Sequence, residues 1–242
     1  LLSKEMPGRF YDVGIEEEHA VTFSAGLAAG GMRPFCNIYS SFSQRAYDQI
    51  IHDVALQGLP VVLCLDRSGI VGEDGPTHHG CYDMAIYRSI PGAVIAAPKD
   101  EAELKDMMYS ALKYESGPYI IRYPRGYGEG VEWRTHEFSL LETGKGELVA
   151  EGSRIAVIAA GPVVNRAVEA AAKIREEYGW SPSVYNIRYV KPLDGELMNG
   201  ILASHERIVT IEDGTVLGGL HGAVAEFVSA SCNGLPVRAI GI

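Results

Sequence analysis

The sequence predicts an α/β protein built from two consecutive doubly wound domains. Short runs rich in β-branched residues alternate with stretches of helix length, which is typical of parallel sheets covered by helices. Glycines and mixed charges between residues 129 and 145 interrupt this pattern, which then starts again. The 242 residues suffice for two modest cores. We therefore expect one domain at residues 1–128, a linker at 129–145 and a second domain at 146–242.

The first unit contains four strand-like runs, RPFCNIY, LPVVLCLD, GAVIAAP and YIIRYP. Before them, the apolar run DVGI leads into a long stretch of small residues, and we expect it to end a strand. The segment KDEAELKDMMYSALKY predicts a helix, because Asp100 and Glu103 have the spacing of a capping box. Apolar residues recur there at the spacing of one helix face, namely Leu104, Met107, Met108 and Ala111.

The second unit begins with RIAVIAAG, which reads as a buried strand. The segment PVVNRAVEAAAKIREEYG predicts a helix with Pro162 in its first turn and Gly179 just past its end. The alternation continues through SVYNIRYV, RIVTIEDG, GGLHGAVAEFVSASC and LPVRAIGI.

Composition excludes several classes of function. A formal net charge of -10 argues against nucleic acid or an anionic membrane as the main partner, because both attract basic surfaces. No apolar run approaches the roughly 20 residues that cross a bilayer, and the N-terminal run is too short for a signal peptide. We expect a cytoplasmic protein. The cysteines lack a CxxC pair, which favours buried reduced thiols over zinc ligands or disulfides. They are Cys36, Cys64, Cys81 and Cys232.

Common nucleotide and hydrolase motifs are missing. GYGEGVE lacks the third glycine of a dinucleotide fingerprint, and GKG is not followed by the Ser or Thr of a P-loop. Neither HExxH nor GxSxG occurs in the sequence. The chemistry must therefore depend on other residues.

Three consecutive glutamates, Glu16, Glu17 and Glu18, precede the stretch of small helix-forming residues. Carboxylates in the first turn of a helix stabilise it by roughly 0.3–1 kcal/mol each through the helix dipole. Successive helical residues are about 100° apart, so three in a row cannot share one face. We therefore expect at least one to point toward the interior, near the carboxyl ends of strands where ligands bind in open parallel sheets.

Several motifs, in a fixed order, resemble one family of thiamine-diphosphate enzymes. They are FYDVGIEEEHAVTFSAGLA, IYSSFSQRAYDQIIHDVALQGLPVVL, DRSGIVGEDGPTHHG and IIRYPRG. This combination is similar to the pyrimidine-binding domain of the 1-deoxy-D-xylulose-5-phosphate synthases, and the second unit resembles their transketolase C-terminal domain. The resemblance implies a transferase that condenses pyruvate and glyceraldehyde 3-phosphate to 1-deoxy-D-xylulose 5-phosphate with release of CO2. That product is a precursor of isoprenoids, thiamine and pyridoxal.

The resemblance also implies a cofactor site for thiamine diphosphate. The family's glutamate, which hydrogen-bonds to the aminopyrimidine and assists loss of the thiazolium C2 proton, matches Glu17. Phe42 matches the aromatic residue that packs against the pyrimidine, a role suited to a flat apolar face. The family usually has a neutral residue before this glutamate and Gln after it. Here both neighbours, Glu16 and Glu18, are charged, which adds local negative charge.

The family's substrate contacts match six residues, namely Tyr39, Arg45, Arg67, Asp74, His78 and Arg125. By this resemblance, Arg67 and Arg125 match the pair that binds the phosphate of glyceraldehyde 3-phosphate, a role that suits a guanidinium fork. His78 is a second catalytic candidate besides the glutamate, since histidine side chains can move protons near neutral pH. We assign no such role to His52 or His79, because a lone histidine is usually structural or solvated.

Some parts of the family pattern are absent. Its diphosphate and Mg²⁺ are held by a GDG motif and a downstream Asn in an N-terminal domain, and no GDG occurs here. The chain starts with Leu1 and stops before the family's closing helix, so we expect a piece of a longer protein. The resemblance then implies that an N-terminal diphosphate-binding domain, on the same or a separate chain, supplies the metal ligands, and that the protein is a homodimer.

Three interpretations stay open at this point. The first is the synthase just described. The second is another thiamine enzyme, either half of a transketolase or a 2-oxoacid dehydrogenase β subunit, although HAVTF, QRAYDQ and DGPTHHG in this order favour the synthase. The third is a non-catalytic α/β module that serves dimerisation.

Overall fold

Two five-stranded sheets form the framework of the protein. A computed structural model describes residues 2–232 and 234–242. The strands are β1 (Phe35–Tyr39), β2 (Val62–Asp66), β3 (Val94–Ala96), β4 (Tyr119–Arg122), β5 (Glu147–Ala150), β6 (Ile155–Ala159), β7 (Ser183–Asn186), β8 (Tyr189–Lys191), β9 (Arg207–Ile211) and β10 (Val237–Ile240). The strand order is β1-β2-β4-β3-β8 in the first sheet and β10-β9-β6-β7-β5 in the second.

Helices connect the strands. The longer ones are α1 (Glu17–Ala29), α2 (Asp83–Arg88), α3 (Glu101–Lys113), α4 (Val163–Tyr178), α5 (Gly195–Ser204) and α6 (Leu220–Ala230). Shorter α-helical segments are Leu2–Glu5, Ser40–Ser43 and Tyr47–Gln49, 3₁₀ turns are Pro7–Arg9, Gln44–Ala46, Gly72–Asp74 and Pro76–His78, and Ile50–Ala55 is a π-helix. None of the helices in the described residues combines the length and apolarity needed to cross a bilayer.

The predicted α/β class is confirmed, with both sheets mixed rather than purely parallel. Strands β1, β2, β4 and β3 are parallel to one another, and so are β7, β6, β9 and β10. One edge strand of each sheet is antiparallel, β8 against β3 and β5 against β7. Strand β5 was not predicted, because its four residues follow a glycine-rich segment without a long apolar run.

The run SVYNIRYV forms two strands that belong to different sheets. Its first half is β7 of the second sheet, and its second half continues into β8 of the first sheet. Arg188, between them, has a φ of 54°, a left-handed conformation that interrupts extended backbone. The second unit of the sequence therefore completes the first sheet.

Helices cover both faces of each sheet, as the doubly wound prediction requires. In β2, Leu63 and Leu65 belong to the largest core cluster, whereas Val62 and Cys64 belong to a second cluster on the other face. This alternation follows from the two-residue period of a strand. The largest cluster also contains Ile158 of β6, so a single core joins the two sheets.

Helix boundaries largely follow the predicted signals. Asp100 caps α3, because its Oδ1 accepts a hydrogen bond from the Glu103 backbone N at 2.8 Å. The returning half of the capping box differs, since Glu103 Oε2 accepts from the backbone N of Lys99 at 2.7 Å. Gly179 ends α4 with a φ of 74°. Residues 129–145 contain no helix or strand.

Two local expectations are wrong. The run Asp12–Ile15 is not the end of a strand, since Gly14 has a φ of 75° and Ile15 is 87% exposed. The expectation of buried thiols is wrong for Cys232, which is exposed. All four cysteines are free, and the other three are buried.

Candidate functional site

The candidate residues lie where parallel strands of the first sheet end. Tyr39 is the last residue of β1, Arg67 directly follows β2, and Arg125 follows β4. Because β1, β2 and β4 are neighbours in that order, their carboxyl ends meet at one edge. This is the edge at which open α/β sheets bind ligands.

One of the three glutamates is buried, as expected. Glu17 is the first residue of α1 and is 9% exposed, whereas Glu16 and Glu18 are exposed to solvent. Its Oε1 accepts a hydrogen bond from Arg45 Nη1 at 3.2 Å. Arg45 itself is exposed, so it can move aside while the carboxylate stays in place.

The rings of Tyr39, Phe42 and His78 form an aromatic wall beside this carboxylate. Arg45 lies over the ring of Phe42, with its Cζ 4.8 Å from the ring centroid. Phe42 stacks on Tyr39 at 5.8 Å between centroids and meets the edge of His78 at 5.0 Å. The short helix Ser40–Ser43, which starts directly after β1, fixes Phe42 next to Tyr39.

Two arginines share one carboxylate at the other end of the wall. Asp74 Oδ2 accepts from Arg67 Nε at 3.0 Å and lies 3.2 Å from Arg125 Nε. Arg67 Nη1 also donates to Asp66 at 2.5 Å, and its Cζ lies 3.9 Å from the centroid of Tyr39. Desolvation disfavours the charge on Arg67, but the hydrogen bond to Asp74 and the nearby carboxylates outweigh it and raise the pKa of the guanidinium.

These contacts bring all the predicted site residues into one continuous group. It runs from the buried carboxylate through the aromatic wall to the arginine pair, and comprises Glu17, Arg45, Phe42, Tyr39, His78, Arg67, Asp74 and Arg125. Such a group combines an acceptor for a protonated ring, a flat apolar surface and a cationic end. The carboxylate shared by the arginines partly neutralises that cationic end.

The two histidines without a predicted role have local contacts. His79 Nδ1 accepts a hydrogen bond from the Val71 backbone N at 3.2 Å, which ties two parts of one loop together. His52 pairs with Asp48 at 2.9 Å on the exposed surface. These contacts account for both side chains without a ligand.

Sequence reasoning missed a buried ion pair below the site. Asp83 and Arg122 have side chains that are each 1% exposed, and Arg122 also reaches Asp213 of the second unit at 2.7 Å. An arginine inside the apolar run YIIRYP is a signal that could have indicated a buried charge. Asp83 has no comparable signal in the sequence.

Two family models match the chain. The model described as transketolase, pyrimidine binding domain, matches residues 1–129, and the one described as transketolase, C-terminal domain, matches residues 144–242. The chain belongs to the transketolase family of thiamine-diphosphate enzymes. The first match contains every residue of the candidate site of this transketolase-family chain.

Curated relatives of this transketolase-family chain are 1-deoxy-D-xylulose-5-phosphate synthases. The chain is 52% identical to that of Bacteroides thetaiotaomicron over 242 residues, 49% identical to that of Cytophaga hutchinsonii and 50% identical to that of Chlorobium luteolum. In each case the match covers 100% of this chain. The chain spans only 37–38% of the length of these relatives.

A solved transketolase has the same fold as this transketolase-family chain. It is a split-gene transketolase, described as an inactive beta4 tetramer, with a TM-score of 0.85 and 28% sequence identity. The match covers 100% of this chain and 77% of that one.

In the part of the chain that the structure describes, no group of His, Cys, Asp and Glu side chains could hold a metal ion.

Proposed function

We propose that this chain is the pyrimidine-binding and C-terminal part of a 1-deoxy-D-xylulose-5-phosphate synthase. The observation that carries the proposal is one continuous group of side chains. It runs from the buried carboxylate of Glu17 through the aromatic wall to two arginines. Identity of 48–52% to synthases over essentially the whole chain supports the choice of reaction. The substrates would be pyruvate and glyceraldehyde 3-phosphate, and the products 1-deoxy-D-xylulose 5-phosphate and CO2.

The residues present fit the pyrimidine end of thiamine diphosphate. Glu17 is buried and has Arg45 as a partner, so its carboxylate can accept a hydrogen bond from a ring nitrogen. Phe42 offers a partly exposed flat face next to it. When bound, thiamine diphosphate supplies a carbon nucleophile, and the protein supplies position and electrostatics.

The cationic end of the group suits the phosphate of the aldehyde substrate. Arg67 and Arg125 already converge on one carboxylate oxygen of Asp74, so a phosphate oxygen can take the same place. Asp74 would then turn toward the substrate, where Tyr39 and Arg45 complete the contacts. His78, packed against the aromatic wall, would hold or transfer a proton at the acceptor's carbonyl oxygen.

A second protein part must complete this site. We assign the diphosphate and Mg²⁺ to an N-terminal diphosphate-binding domain, on the same or a separate chain, and expect a homodimer. The described residues offer no metal cluster, and the similar split-gene transketolase is an oligomer. We propose domain limits of 1–128 and 146–242 with a linker at 129–145. Free cysteines fit a cytoplasmic location.

A split transketolase is the second candidate, because a solved split-gene transketolase shares the fold at 28% identity. The arginine pair fits a phosphorylated acceptor in either enzyme, so the donor decides between them. A non-catalytic module would have no use for a buried carboxylate beside an aromatic wall, and desolvating that charge costs free energy.

The test uses the enzyme that contains both this chain and its diphosphate-binding domain. With ¹³C-labelled pyruvate, glyceraldehyde 3-phosphate, thiamine diphosphate and Mg²⁺, we expect labelled CO2 and labelled 1-deoxy-D-xylulose 5-phosphate by NMR. Activity with a ketose phosphate donor and none with pyruvate would indicate the transketolase instead. Absence of turnover with both donors would favour the non-catalytic module.

A further inference from the structure

The buried ion pair of Asp83 and Arg122 lies beneath the loops that carry the candidate site. Arg122 Nε donates to both oxygens of Asp83, at 3.1 and 3.0 Å, and both side chains are 1% exposed. A buried ion pair is costly to desolvate and often adds little stability over apolar residues of the same volume. We propose that Asp83 is a positioning residue of the active site, which acts through Ser40 and Ser68. This inference rests on the proposed function for the identity of the site.

Asp83 connects the two loops of the site through a single carboxylate oxygen. Its Oδ2 accepts hydrogen bonds from Ser40 Oγ at 2.9 Å and from Ser68 Oγ at 2.7 Å. Ser40 directly follows Tyr39 of the aromatic wall, and Ser68 directly follows Arg67 of the arginine pair. One buried group therefore links the segment that carries the wall to the segment that carries Arg67.

The connection at Ser68 also fixes an unusual backbone conformation. Arg67 has a φ of 63°, a left-handed conformation that a non-glycine residue adopts only when its surroundings hold it there. Ser68 is held on both sides, since its backbone N donates to the Tyr123 carbonyl at 3.0 Å and its Oγ donates to Asp83. Loss of the second bond would release Arg67 toward ordinary backbone angles.

The later part of the loop that follows Arg67, which carries His78, joins the same centre. Gly69 and Gly80 exchange backbone hydrogen bonds of 3.0 and 2.8 Å. A Cβ atom at Gly80 would lie 2.4 Å from Ser40 Oγ and 2.5 Å from the carbonyl oxygen of Arg67. The two parts of this loop and the turn at Ser40 thus meet without space for a side chain.

The second unit supports this centre from the other side. Arg122 Nη1 donates to Asp213 Oδ1 at 2.7 Å, and a Cβ atom at Gly69 would lie 2.6 Å from Asp213 Oδ2. The loop that carries Arg67 is therefore held between Asp83 of its own domain and Asp213 of the second domain. Through this ion pair, the second domain helps to set the position of the site.

Two serine variants separate positioning from general stability, with kinetics measured on the complete enzyme. We expect Ser68→Ala to raise the KM for glyceraldehyde 3-phosphate about tenfold and to change turnover of unphosphorylated glyceraldehyde less than about twofold. We expect Ser40→Ala to lower kcat/KM equally for both aldehydes, because it releases the aromatic wall rather than the arginine. Equal effects of Ser68→Ala on the two aldehydes would overturn the proposal.

Glu103 provides a matched control for Asp83. Its side chain is 3% exposed, and it pairs with Arg188 at 2.7 Å, also between the two domains. Its other contacts, with Lys99 and Asn186, lie away from the loops of the site. We expect Asp83→Asn to lower the ratio of kcat/KM between phosphorylated and unphosphorylated aldehyde about tenfold, and Glu103→Gln to leave that ratio unchanged at a similar loss of Tm.

Amide hydrogen exchange tests the same inference without any turnover. Asp83→Asn should speed exchange in peptides spanning residues 39–45 and 66–80, Ser68→Ala only in 66–80, and Glu103→Gln in neither. Absence of pyruvate turnover in the unmodified enzyme would refute the proposed function and leave this measurement valid. Unchanged exchange at 66–80 in both Asp83→Asn and Ser68→Ala would refute the positioning role.

Discussion

Glu16, Glu17 and Glu18 carry the same side chain, so their surroundings determine which of them can take part in chemistry. Glu17 is buried and is bonded to Arg45, whereas its two neighbours face solvent. A charged hydrogen bond in a water-poor site is stronger than the same bond at the surface. Only the middle carboxylate therefore has the setting of a functional group.

This difference predicts the effects of three substitutions in the complete enzyme. Glu17→Gln should slow proton exchange at the thiazolium C2 at least about a hundredfold, because an amide cannot share the ring proton as a carboxylate does. Glu16→Gln and Glu18→Gln should change it less than about fivefold, since they remove only a dipole interaction of about 0.3–1 kcal/mol. NMR of C2 exchange gives the rates, and a larger loss in Glu18→Gln would contradict the assignment.

The arginine pair predicts discrimination between two acceptors. Arg67→Ala or Arg125→Ala should remove a charge-assisted bond worth roughly 1.5–3 kcal/mol, or about ten- to a hundredfold in kcat/KM for glyceraldehyde 3-phosphate. Unphosphorylated glyceraldehyde should be used almost as before. Lysine at either position should restore part of the loss, because it keeps the charge without the planar fork.

Steady-state kinetics with both aldehydes also tests the alternative role of these arginines. If Arg67 and Arg125 only hold loops together through Asp74, the alanine variants should lower kcat/KM equally for both aldehydes and should also lower the Tm. The lysine variants would then restore stability without restoring any preference for the phosphorylated acceptor. That pattern would remove both residues from the proposed phosphate site.

Single residues also show what the sequence could and could not predict. The inward direction of one glutamate follows from the 100° spacing of helical residues, and the structure has Glu17 buried. The shared carboxylate between Arg67 and Arg125 could not be predicted, because it brings residues that follow two different strands to one oxygen of Asp74. Asp83 was missed for the same reason, since its partners are distant in sequence.

At the scale of elements, local signals predicted the helices better than the sheet edges. Asp100 and Gly179 act within one or two turns, so their effect on α3 and α4 can be read from neighbouring residues. The split of SVYNIRYV into β7 and β8 depends on which sheet has a free edge, which local sequence does not encode. Strand β5 likewise exists because β7 offers it an edge.

The cap of α3 gives a prediction about stability. Asp100 Oδ1 accepts from the Glu103 backbone N at 2.8 Å, so Asp100→Ala should cost about 1 kcal/mol and lower the Tm by about 2–4 °C. Asp100→Asn is the control. Asparagine is an equally good cap, so this variant should lower the Tm much less. Thermal unfolding followed by circular dichroism compares them, and equal losses would mean that the charge rather than the cap matters.

At the scale of the whole molecule, backbone pairing and ion pairs join the two units. Strand β8 completes the first sheet, Arg188 pairs with Glu103 at 2.7 Å, and Arg122 pairs with Asp213 at 2.7 Å. Breaking one side of a buried pair leaves an unpaired buried charge, which is strongly unfavourable. Neither unit can therefore unfold without a large cost to the other.

These links predict one cooperative unfolding transition. Differential scanning calorimetry should give a single peak whose calorimetric and van't Hoff enthalpies agree. Cutting the chain within the segment 129–145 should leave the transition single, because the links lie elsewhere. Two separate peaks in the uncut protein would show that the units unfold independently and that the connections between them are weak.

By itself, this chain should hold thiamine diphosphate only weakly. Much of the affinity for thiamine diphosphate should come from its diphosphate and Mg²⁺, and the described residues form no cluster that could bind the metal. We expect calorimetric titration of the 242-residue chain with thiamine diphosphate and Mg²⁺ to give a Kd weaker than about 1 mM, which corresponds to roughly 4 kcal/mol.

Addition of the diphosphate-binding domain should tighten this binding, and Glu17→Gln should weaken it again in the assembled enzyme. The comparison separates the two ends of the cofactor, because Glu17 can contact only the pyrimidine while the added domain supplies the charged contacts. Omitting Mg²⁺ should abolish the gain from the added domain and leave the weak binding by this chain unchanged. Micromolar binding by the isolated chain would mean that its own residues hold the diphosphate, and the division of the site between two protein parts would be wrong.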